Sequence, residues 1–258
     1  MDRIQKEIRK SIVSMAHYSH ASHVGSALSV ADILYAVYSK AANISKENLQ
    51  GTARDSVILS KGHASTALYA TLAHLGLMDK KLLRSYYING GKLPGHLDKD
   101  AAAGIDVSTG SLGHGLSIGV GMALADAEHN VFVILGDGEC NEGSVWEAVM
   151  LLGKLKLKNL IIIVDKNCLQ AFGRTDDIMD DGNLGDRFKS FGLDVQEVNG
   201  HDIAQLEAAL NHPSYRTKAI IAHTVKGHGV SYMEDSFVWH YKSPNDDELR
   251  IAMEELER

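Results

Sequence analysis

Two polar side chains spaced about thirty residues apart could together bind a divalent metal ion. Asp137, between two glycines, follows the apolar run Val131–Leu135, and Asn167 follows the apolar run Leu160–Val164. If both runs are neighbouring parallel strands, their carboxyl ends place the Asp137 carboxylate beside the Asn167 amide oxygen. Oxygen ligands of this kind bind Mg²⁺ or Ca²⁺, and the metal readily shares its shell with a diphosphate. A Gly-Asp-Gly turn alone is a weak indication, but two such positions after successive strands form a stronger one.

Histidine and cysteine could also bind metal or carry redox chemistry in this chain. His17, His20 and His23 recur at a spacing of three, which can place neighbours on one helical face, but no fourth ligand accompanies them. A zinc site is therefore disfavoured. Cys140 and Cys168 each lie close in sequence to a proposed metal ligand. We expect buried small side chains there, with a redox-sensitive pair as the alternative.

The elements that must position these side chains follow one repeated order of strand, small-residue turn and helix. Several strands are continuously apolar, as expected when helices cover both faces of a sheet. The pattern predicts an α/β fold, a mostly parallel sheet with helices on both faces, in one domain over residues 1–258. The predicted strands are Val57–Leu59, Val131–Leu135, Leu160–Val164, Val195–Val198 and Ala219–Ala222, and the predicted helices are Arg3–Tyr18, a segment from Ser29 as N-cap to Tyr38, Ala64–Leu75, Val145–Leu155, Ile203–Leu210 and Asp246–Glu255.

Length and composition exclude several classes of protein. The 258 residues carry a formal net charge of −7, which argues against nucleic acid or an anionic membrane as the main partner. Two cysteines exclude a disulfide framework and fit a reduced compartment, so a cytoplasmic protein is expected. The N-terminus is too charged for a secretory signal. The longest segment without Asp, Glu, Lys or Arg, Val107–Ala125, contains five glycines and several polar residues, which argues against a membrane span.

Beyond the two metal-binding positions, five segments resemble transketolases, which are enzymes that use thiamine diphosphate. These segments span nearly the whole chain in the family's order, and they match the N-terminal, diphosphate-binding part of a transketolase. The resemblance implies the N-terminal subunit of a split transketolase, with thiamine diphosphate and Mg²⁺ as cofactors and Ca²⁺ or Mn²⁺ able to substitute. The segments are ILSKGHASTALYA (58–70), STGSLGHGLSIGVGMA (108–123), GDGECNEGSVWEA (136–148), IIIVDKNCLQAFG (161–173) and HTVKGHGVSYMED (223–235).

The resemblance assigns roles to individual residues around the cofactor. Asp137, Asn167 and the main-chain carbonyl of Leu169 correspond to the family's metal ligands. Gly110 and Leu112 correspond to the loop that contacts the aminopyrimidine ring of the cofactor. The full set of expected cofactor-binding residues is His63, Gly110, Leu112, His114, Gly136, Asp137, Gly138, Glu142, Asn167 and Leu169.

Four histidines correspond to the active-site histidines of transketolases: His23, His63, His96 and His240. Near-neutral imidazoles both donate and accept hydrogen bonds, which suits a ketose donor with hydroxyls at C1 and C3 and a carbonyl at C2. They can also move protons during carbon–carbon cleavage. A hydrogen-bonded structural histidine is the alternative for each. His201 and the other histidines without a family counterpart are expected to be surface or structural residues.

A second polypeptide is implied by the same resemblance. In transketolases the glutamate that activates the aminopyrimidine comes from a pyrimidine-binding domain, and the eighteen residues after His240 cannot supply one. We therefore expect the partner to be a C-terminal transketolase subunit, the assembly to be an α2β2 heterotetramer, and the substrates to be sugars or sugar phosphates. Glu142 and Glu147 correspond to acidic positions at that subunit interface; the alternative is that they are solvated acids in the first turn of a helix.

Three alternatives remain open. The α subunit of a thiamine-dependent 2-oxoacid dehydrogenase is the nearest, but a keto acid that loses CO₂ does not need four histidines to recognise hydroxyls. The intact Asp137, Asn167 and histidines disfavour a catalytically silent assembly subunit. No G-x-G-x-x-G motif follows the first strand, which disfavours a dinucleotide-binding module.

Two positions depart from the usual pattern of transketolases. Tyr86-Tyr87 replaces the aromatic–arginine pair that helps many transketolases hold a sugar phosphate, so the identities of the ketose and the aldehyde stay open. Cys168 stands where the family usually has glycine.

Overall fold

A parallel sheet runs through the chain, which this computed structural model describes over residues 1–179 and 183–258. Its strands are β1 (Ser56–Leu59), β2 (Val131–Gly136), β3 (Leu160–Lys166), β4 (Asp194–Asn199) and β5 (Lys218–His223). They follow the order β1-β2-β3-β5-β4, and every neighbouring pair is parallel. The predicted α/β fold is therefore confirmed, and each predicted strand is present.

Helices pack on both faces of the sheet because successive strand residues point to opposite sides. The helices are α1 (Arg3–Ser19), α2 (Val24–Ala36, continued by a π-helical turn at Val37–Ala41), α3 (Ser65–His74), α4 (His114–Ala125), α5 (Gly143–Leu155), α6 (Thr175–Ile178), α7 (Leu184–Ser190), α8 (Ile203–Asn211) and α9 (Asp246–Glu257). In β2, Phe132 and Ile134 belong to a buried cluster with α1, α2, α3, α8 and α9. Val133 and Leu135 belong to a second cluster with α4, α5 and α7. Within the described ranges, no helix is long and apolar enough to cross a membrane.

The register of the sheet brings its carboxyl ends to one edge. Gly136, the last residue of β2, pairs with Asp165 of β3. Asp137 and Asn167 therefore leave the sheet side by side, as the sequence predicted. Leu59, the last residue of β1, pairs with Ile134, so the chain that follows β1 reaches the same edge.

The second helix differs from its prediction, because α2 begins at Val24 and Ser29 lies inside it. The predicted N-cap was therefore wrong. The Ser29 hydroxyl is fully buried and donates a hydrogen bond to the Asp165 carboxylate at 2.6 Å. Serine is a favoured N-cap residue, which is why the sequence suggested a helix start at Ser29. The residue that Ser29 actually hydrogen-bonds, Asp165, lies too far away in the sequence to be recognised from the local pattern. Helix α4 was not predicted, since Gly115, Gly119 and Gly121 lower its intrinsic helix propensity.

Two helical glycines should respond in opposite ways to replacement by alanine. A Cβ on Gly153 of α5 would lie 2.1 Å from the Phe191 carbonyl oxygen, so the backbone would have to move. A Cβ on Gly121 of α4 would meet nothing within 4 Å. We expect Gly153→Ala to lower the free energy of unfolding by about 1–3 kcal/mol through overpacking. Gly121→Ala should raise it by about 0.5–1 kcal/mol, because alanine is the better helix former.

Urea unfolding of the two variants and the unmodified chain measures both changes. A gain in unfolding free energy for Gly153→Ala would contradict the close packing of α5 on the segment that contains Phe191.

Candidate active site

A cleft of about 420 Å³ opens at the carboxyl edge of β1, β2 and β3. It collects residues from every segment that the sequence analysis singled out. The predicted site residues in its lining are His23, His63, His96, Gly110, Leu112, Gly136, Asp137, Gly138, Glu142, Asn167, Leu169 and His240. His114 is exposed at the first turn of α4 and is not part of the lining, so its contact with a cofactor stays a prediction.

The predicted metal ligands lie together at one end of the cleft. Asp137 accepts hydrogen bonds from the backbone N–H of Gly138 at 2.8 Å and of Cys168 at 2.5 Å. The Asn167 side chain accepts from the Leu169 N–H at 3.1 Å and donates to the Ser29 hydroxyl at 3.2 Å. These bonds fix the carboxylate and the amide against the same backbone segment.

The electrostatics of Asp137 suit a bound cation, because no salt bridge among the described residues involves its carboxylate. Burial raises the pKa of Asp137 to about 6, and the neighbouring Asp165 carboxylate adds to the effect. Its two hydrogen bonds come from backbone N–H groups, which leave acceptor capacity on both carboxylate oxygens. A divalent metal ion bound here would supply the missing positive charge, and the donor set of carboxylate, amide and carbonyl oxygens suits Mg²⁺ or Ca²⁺.

Asp165, by contrast, is fully compensated. The Lys61 ammonium forms a buried salt bridge with it at 2.6 Å, and the Ser29 and Thr224 hydroxyls donate to the same carboxylate. Burial alone would raise the pKa of Asp165, but the charge and hydrogen bond of Lys61, followed by the hydroxyl bonds, hold it below its usual value. Asp165 is therefore a charged structural residue behind the site.

The four predicted histidines form one cluster. The His23 ring centroid lies 4.7 Å from that of His240, 5.1 Å from that of His63 and 5.9 Å from that of His96. Burial and then neighbouring cationic and imidazole groups lower the pKa of His23 to about 4 and that of His240 to about 3, and they hold the pKa of His63 well below its usual value. At neutral pH these three imidazoles are uncharged, so each offers one donor and one acceptor.

Backbone geometry brings His23 into the cluster. His23 precedes α2 with a φ of 71°, a left-handed conformation that is unusual for a residue with a side chain. Its N–H donates to the His240 carbonyl oxygen at 2.9 Å, and the Ser22 hydroxyl contacts its Nδ1 at 2.9 Å. The cluster is thereby joined through the backbone as well as through its rings.

A glycine loop closes another side of the cleft. Gly110 has a φ of 154°, and a Cβ there would lie 3.1 Å from the His96 ring, so this position needs glycine. The buried Glu139 carboxylate accepts from the N–H groups of Gly113 at 2.8 Å and of Gly136 at 3.1 Å. Glu139 thus joins the loop to the end of β2. Glu139 was not among the predicted site residues, although it stands one position beyond the Gly-Asp-Gly turn.

Two buried lysines of the lining were also missed. Lys61 immediately precedes the Gly-His pair of the second histidine motif, and Lys226 stands in the segment HTVKGHG. The Lys226 ammonium donates to the carbonyl oxygens of Leu169 at 3.0 Å and Gln170 at 3.2 Å. Burial and the nearby Lys61 lower its pKa to about 8. Both lysines lie inside segments that resemble transketolases, and this position in the sequence could have indicated that they belong to the site.

The cysteines have ordinary surroundings. Cys140 is buried, and its thiol contacts the Gly136 carbonyl oxygen at 3.5 Å. Burial raises the pKa of the Cys168 thiol, which disfavours the reactive thiolate. The expected burial is therefore found for Cys140 but not for the half-buried Cys168, and the alternative of a redox-sensitive pair stays untested.

Known proteins resemble the chain over its whole length. The family described as "Transketolase, thiamine diphosphate binding domain" matches residues 2–256. The chain is 39% identical to a subunit of the apulose-4-phosphate transketolase of Actinobacillus succinogenes, over 99% of this chain and 95% of the relative. It is 36% identical to the 6-deoxy-6-sulfo-D-fructose transketolase subunit SqwG of a Clostridium species, over 97% and 94%.

The chain belongs to the transketolase family. It superposes on the transketolase of Campylobacter jejuni with a TM-score of 0.87 and 29% identity, covering 100% of this chain but only 43% of that one. What it matches is the thiamine-diphosphate-binding part, and relatives of its own length are named as subunits. The predicted family, its cofactor thiamine diphosphate and the identity as the N-terminal subunit of a split transketolase are thereby confirmed.

In this transketolase subunit, the buried histidine cluster should stay neutral in mildly acidic solution. An unfolded histidine binds a proton near pH 6.5, whereas the pKa of His23 is lowered to about 4 and that of His240 to about 3. Between these values the unfolded chain binds more protons than the native chain. The free energy of unfolding should therefore fall as the pH is lowered from about 6.5 towards 4.

Urea unfolding as a function of pH tests the free-energy change, and imidazole ¹⁵N shifts report the ring protonation directly. Titration of the His23 and His240 rings near pH 6.5 would contradict the buried, neutral cluster.

Proposed function

We propose that this chain is the cofactor-binding subunit of a two-chain transketolase that transfers a two-carbon ketol unit from a ketose or ketose phosphate to an aldehyde acceptor. The observation that carries the proposal is a single cleft that holds a buried carboxylate bound by backbone N–H groups, Asp137, together with four clustered histidines. The relatives named as transketolase subunits for apulose-4-phosphate and for 6-deoxy-6-sulfo-D-fructose support sugars as substrates.

The cofactor end of the cleft fits thiamine diphosphate with a divalent metal, which we propose to be Mg²⁺, with Ca²⁺ or Mn²⁺ able to replace it. Asp137, Asn167 and the Leu169 carbonyl would hold the metal with oxygen donors, the Leu169 oxygen using the lone pair that its hydrogen bond from Lys226 leaves available. Lys226 adds a buried ammonium group to the same end of the cleft, which suits the charge of a diphosphate. When bound, thiamine diphosphate supplies a nucleophilic carbon for the ketose carbonyl and accepts the electron pair of the broken carbon–carbon bond.

The histidine end of the cleft fits a polyhydroxylated substrate. His23, His63 and His240 are neutral at physiological pH. The Nδ1 atoms of His23 and His240 already contact the Ser22 hydroxyl and the Lys226 ammonium, so each of these two rings has its Nε2 left for a substrate oxygen. The neutral His63 ring offers one donor and one acceptor. This arrangement orients a ketose through its hydroxyls and lets an imidazole take up or return a hydroxyl proton when the carbon–carbon bond breaks or forms. His96, whose ring lies beside His23, extends the same recognition surface.

The catalytic unit requires a second chain in this proposal. The relatives named as subunits support a partner chain, which in this proposal carries the pyrimidine-binding domain and the activating glutamate in an α2β2 heterotetramer. Helices α4 and α5 start at the cleft and expose apolar side chains that suit such a partner: Ile118, Leu124, Met150 and Leu151. Glu142, at the rim of the cleft, and Glu147 lie at the same end of α5. We place the assembly in the cytoplasm.

Activity of the assembled complex tests the proposal. The chain is purified with its partner and supplied with thiamine diphosphate, Mg²⁺, a ketose phosphate and an aldose phosphate. We expect two-carbon transfer that depends on both chains, because this chain carries the histidines and the partner carries the activating glutamate. Turnover of pyruvate without ketose transfer would favour the 2-oxoacid dehydrogenase subunit, and an inert complex that binds no cofactor would favour a silent subunit.

Asp137→Asn should separate cofactor binding from folding. The variant keeps the side-chain shape but removes the charge that a metal would neutralise. We expect Mg²⁺-dependent affinity for thiamine diphosphate to fall by about 100-fold, the upper end of what even outer-shell partners of a metal contribute. The free energy of unfolding at pH 7 should change little: removing a charged carboxylate whose pKa is raised to about 6 stabilises the fold, but the amide NH2 then faces one of the two backbone N–H groups that Asp137 accepts from.

Asp165→Asn is the contrasting variant, which should act on folding first. It removes a carboxylate of the same sheet edge but leaves the buried Lys61 ammonium without its counter-charge, which should cost about 3–5 kcal/mol of stability. Calorimetric titration and urea unfolding of both variants give the comparison. Unchanged metal-dependent affinity in Asp137→Asn would refute its assignment as a metal ligand.

A further inference from the structure

Lys226 reaches the cofactor end of the cleft from a turn that follows β5. Its side chain is 1% exposed, and its ammonium group contacts the Leu169 and Gln170 carbonyl oxygens and, at 3.3 Å, His240 Nδ1. Gly25 makes room for it, since a Cβ there would lie 3.3 Å from the Lys226 Cγ. The direction of this ammonium therefore depends on how the backbone on either side of Lys226 is held.

The backbone on both sides of Lys226 is held from outside the cleft. The Val225 N–H donates to His201 Nε2 at 2.9 Å, and the Gly227 N–H donates to the Gly25 carbonyl oxygen at 3.0 Å. The His228 ring stacks on the His201 ring with centroids 3.6 Å apart and planes 20° apart. His201 thus contacts the turn both before and after the lysine, although it is absent from the cleft lining.

The hydrogen bonds of His201 specify one state of its ring. Because Nε2 accepts from the Val225 N–H, Nδ1 must carry the proton that it shares with Asp32 Oδ2 at 2.8 Å. Asp32 is itself fixed by the Arg9 guanidinium, which contacts its two oxygens at 2.9 and 2.5 Å, and by Gln5. The imidazole is consequently held by a rigid, buried ion pair between α1 and α2.

The cluster of Asp32, His201 and His228 does not suit metal binding. Asp32, His201 and His228 lie close enough together to ligate one ion. However, both ring nitrogens of His201 are already engaged, and Arg9 presents a cation to both oxygens of Asp32. The three residues instead support the turn beside them.

We propose that His201 is a positioning residue for Lys226: its Nε2 holds the Val225 N–H, and its ring face holds His228, so that the Lys226 ammonium points at the diphosphate end of the cleft. The proposal rests on the function proposed above, because it assigns Lys226 to the anionic part of the cofactor. Hydrogen-bonded partners behind a metal ligand contribute about 10-fold to 100-fold in affinity, and we expect the support of Lys226 to lie at the lower end of that range.

Three substitutions at His201 separate its two hydrogen bonds. His201→Gln can keep an acceptor near the position of Nε2, and His201→Asn can keep a donor near the position of Nδ1. His201→Ala removes both. Thiamine diphosphate affinity is measured by calorimetry in the complex of this chain with its partner, in the presence of Mg²⁺, with urea unfolding as the check on folding. We expect about 10-fold weaker binding in His201→Ala and His201→Asn, and binding within about threefold of the unmodified complex in His201→Gln.

A double-mutant cycle with Lys226→Met decides whether His201 acts through the lysine. In the Lys226→Met background, His201→Asn should have no further effect on affinity, because the group that it positions is gone. Independent, multiplicative losses would overturn the proposal, and so would full affinity in His201→Asn. If the unmodified complex itself binds no thiamine diphosphate, the proposed function fails; if it binds and the cycle is multiplicative, only the role of His201 fails. Should His201→Ala not fold, His201→Asn carries the test, since it can retain the contact with Asp32.

Discussion

The burial of one carboxylate, Asp165, is the constraint on which the site depends. It lies at the end of β3 with no exposure to solvent, and a buried charge is tolerated only when it is paired and hydrogen-bonded. Its partners come from three other parts of the chain: Lys61 after β1, Ser29 in α2 and Thr224 after β5. Satisfying this single group therefore sets the positions of the segments that carry His63 and Lys226. A buried ion pair adds little net stability, but removing one partner is costly. The Lys61–Asp165 pair therefore specifies how these segments are arranged more than it stabilises the fold.

Asp137 follows the neighbouring strand and has the opposite electrostatic character. Only backbone N–H groups donate to it among the hydrogen bonds of the described residues, and burial leaves its pKa raised. The cleft holds its histidines in the uncharged form in the same way, by burial beside Lys226 and Lys61. A fully compensated Asp165 and an uncompensated Asp137 are thus neighbours in the sheet, where Gly136 pairs with Asp165. The compensated carboxylate of Asp165 therefore stabilises the fold behind the site, whereas the uncompensated carboxylate of Asp137 faces the ligand.

The parts of this structure that could be predicted from sequence are those encoded locally or by family motifs. Apolar runs predicted β1, β2, β3 and β5 because burial on both faces gives a signal within a few residues, whereas β4 is a partly exposed edge strand with a weaker signal. The convergence of Asp137 and Asn167 followed from strand order alone. The start of α2 could not be predicted, because Ser29 hydrogen-bonds to a residue on a distant strand and does not cap its own helix. The contacts of Lys226 with Leu169 and of His201 with Asp32 could not be predicted either, because they are made across the fold; the signal available for Lys226 was its place in a segment that resembles transketolases.

Backbone strain at the cleft has a consistent physical cause. His23 and Cys168 are both in the left-handed region, with φ of 71° and 61°, where a side chain costs of order 1–3 kcal/mol. Each uses the resulting direction of its N–H to bind a group of the site: His23 donates to the His240 carbonyl, and Cys168 donates to the Asp137 carboxylate. The glycine usual in transketolases at the position of Cys168 would adopt this conformation without that cost. The chain therefore retains the unusual backbone geometry even where its side chain opposes it, which indicates that the direction of the N–H towards Asp137 is the feature that the fold maintains.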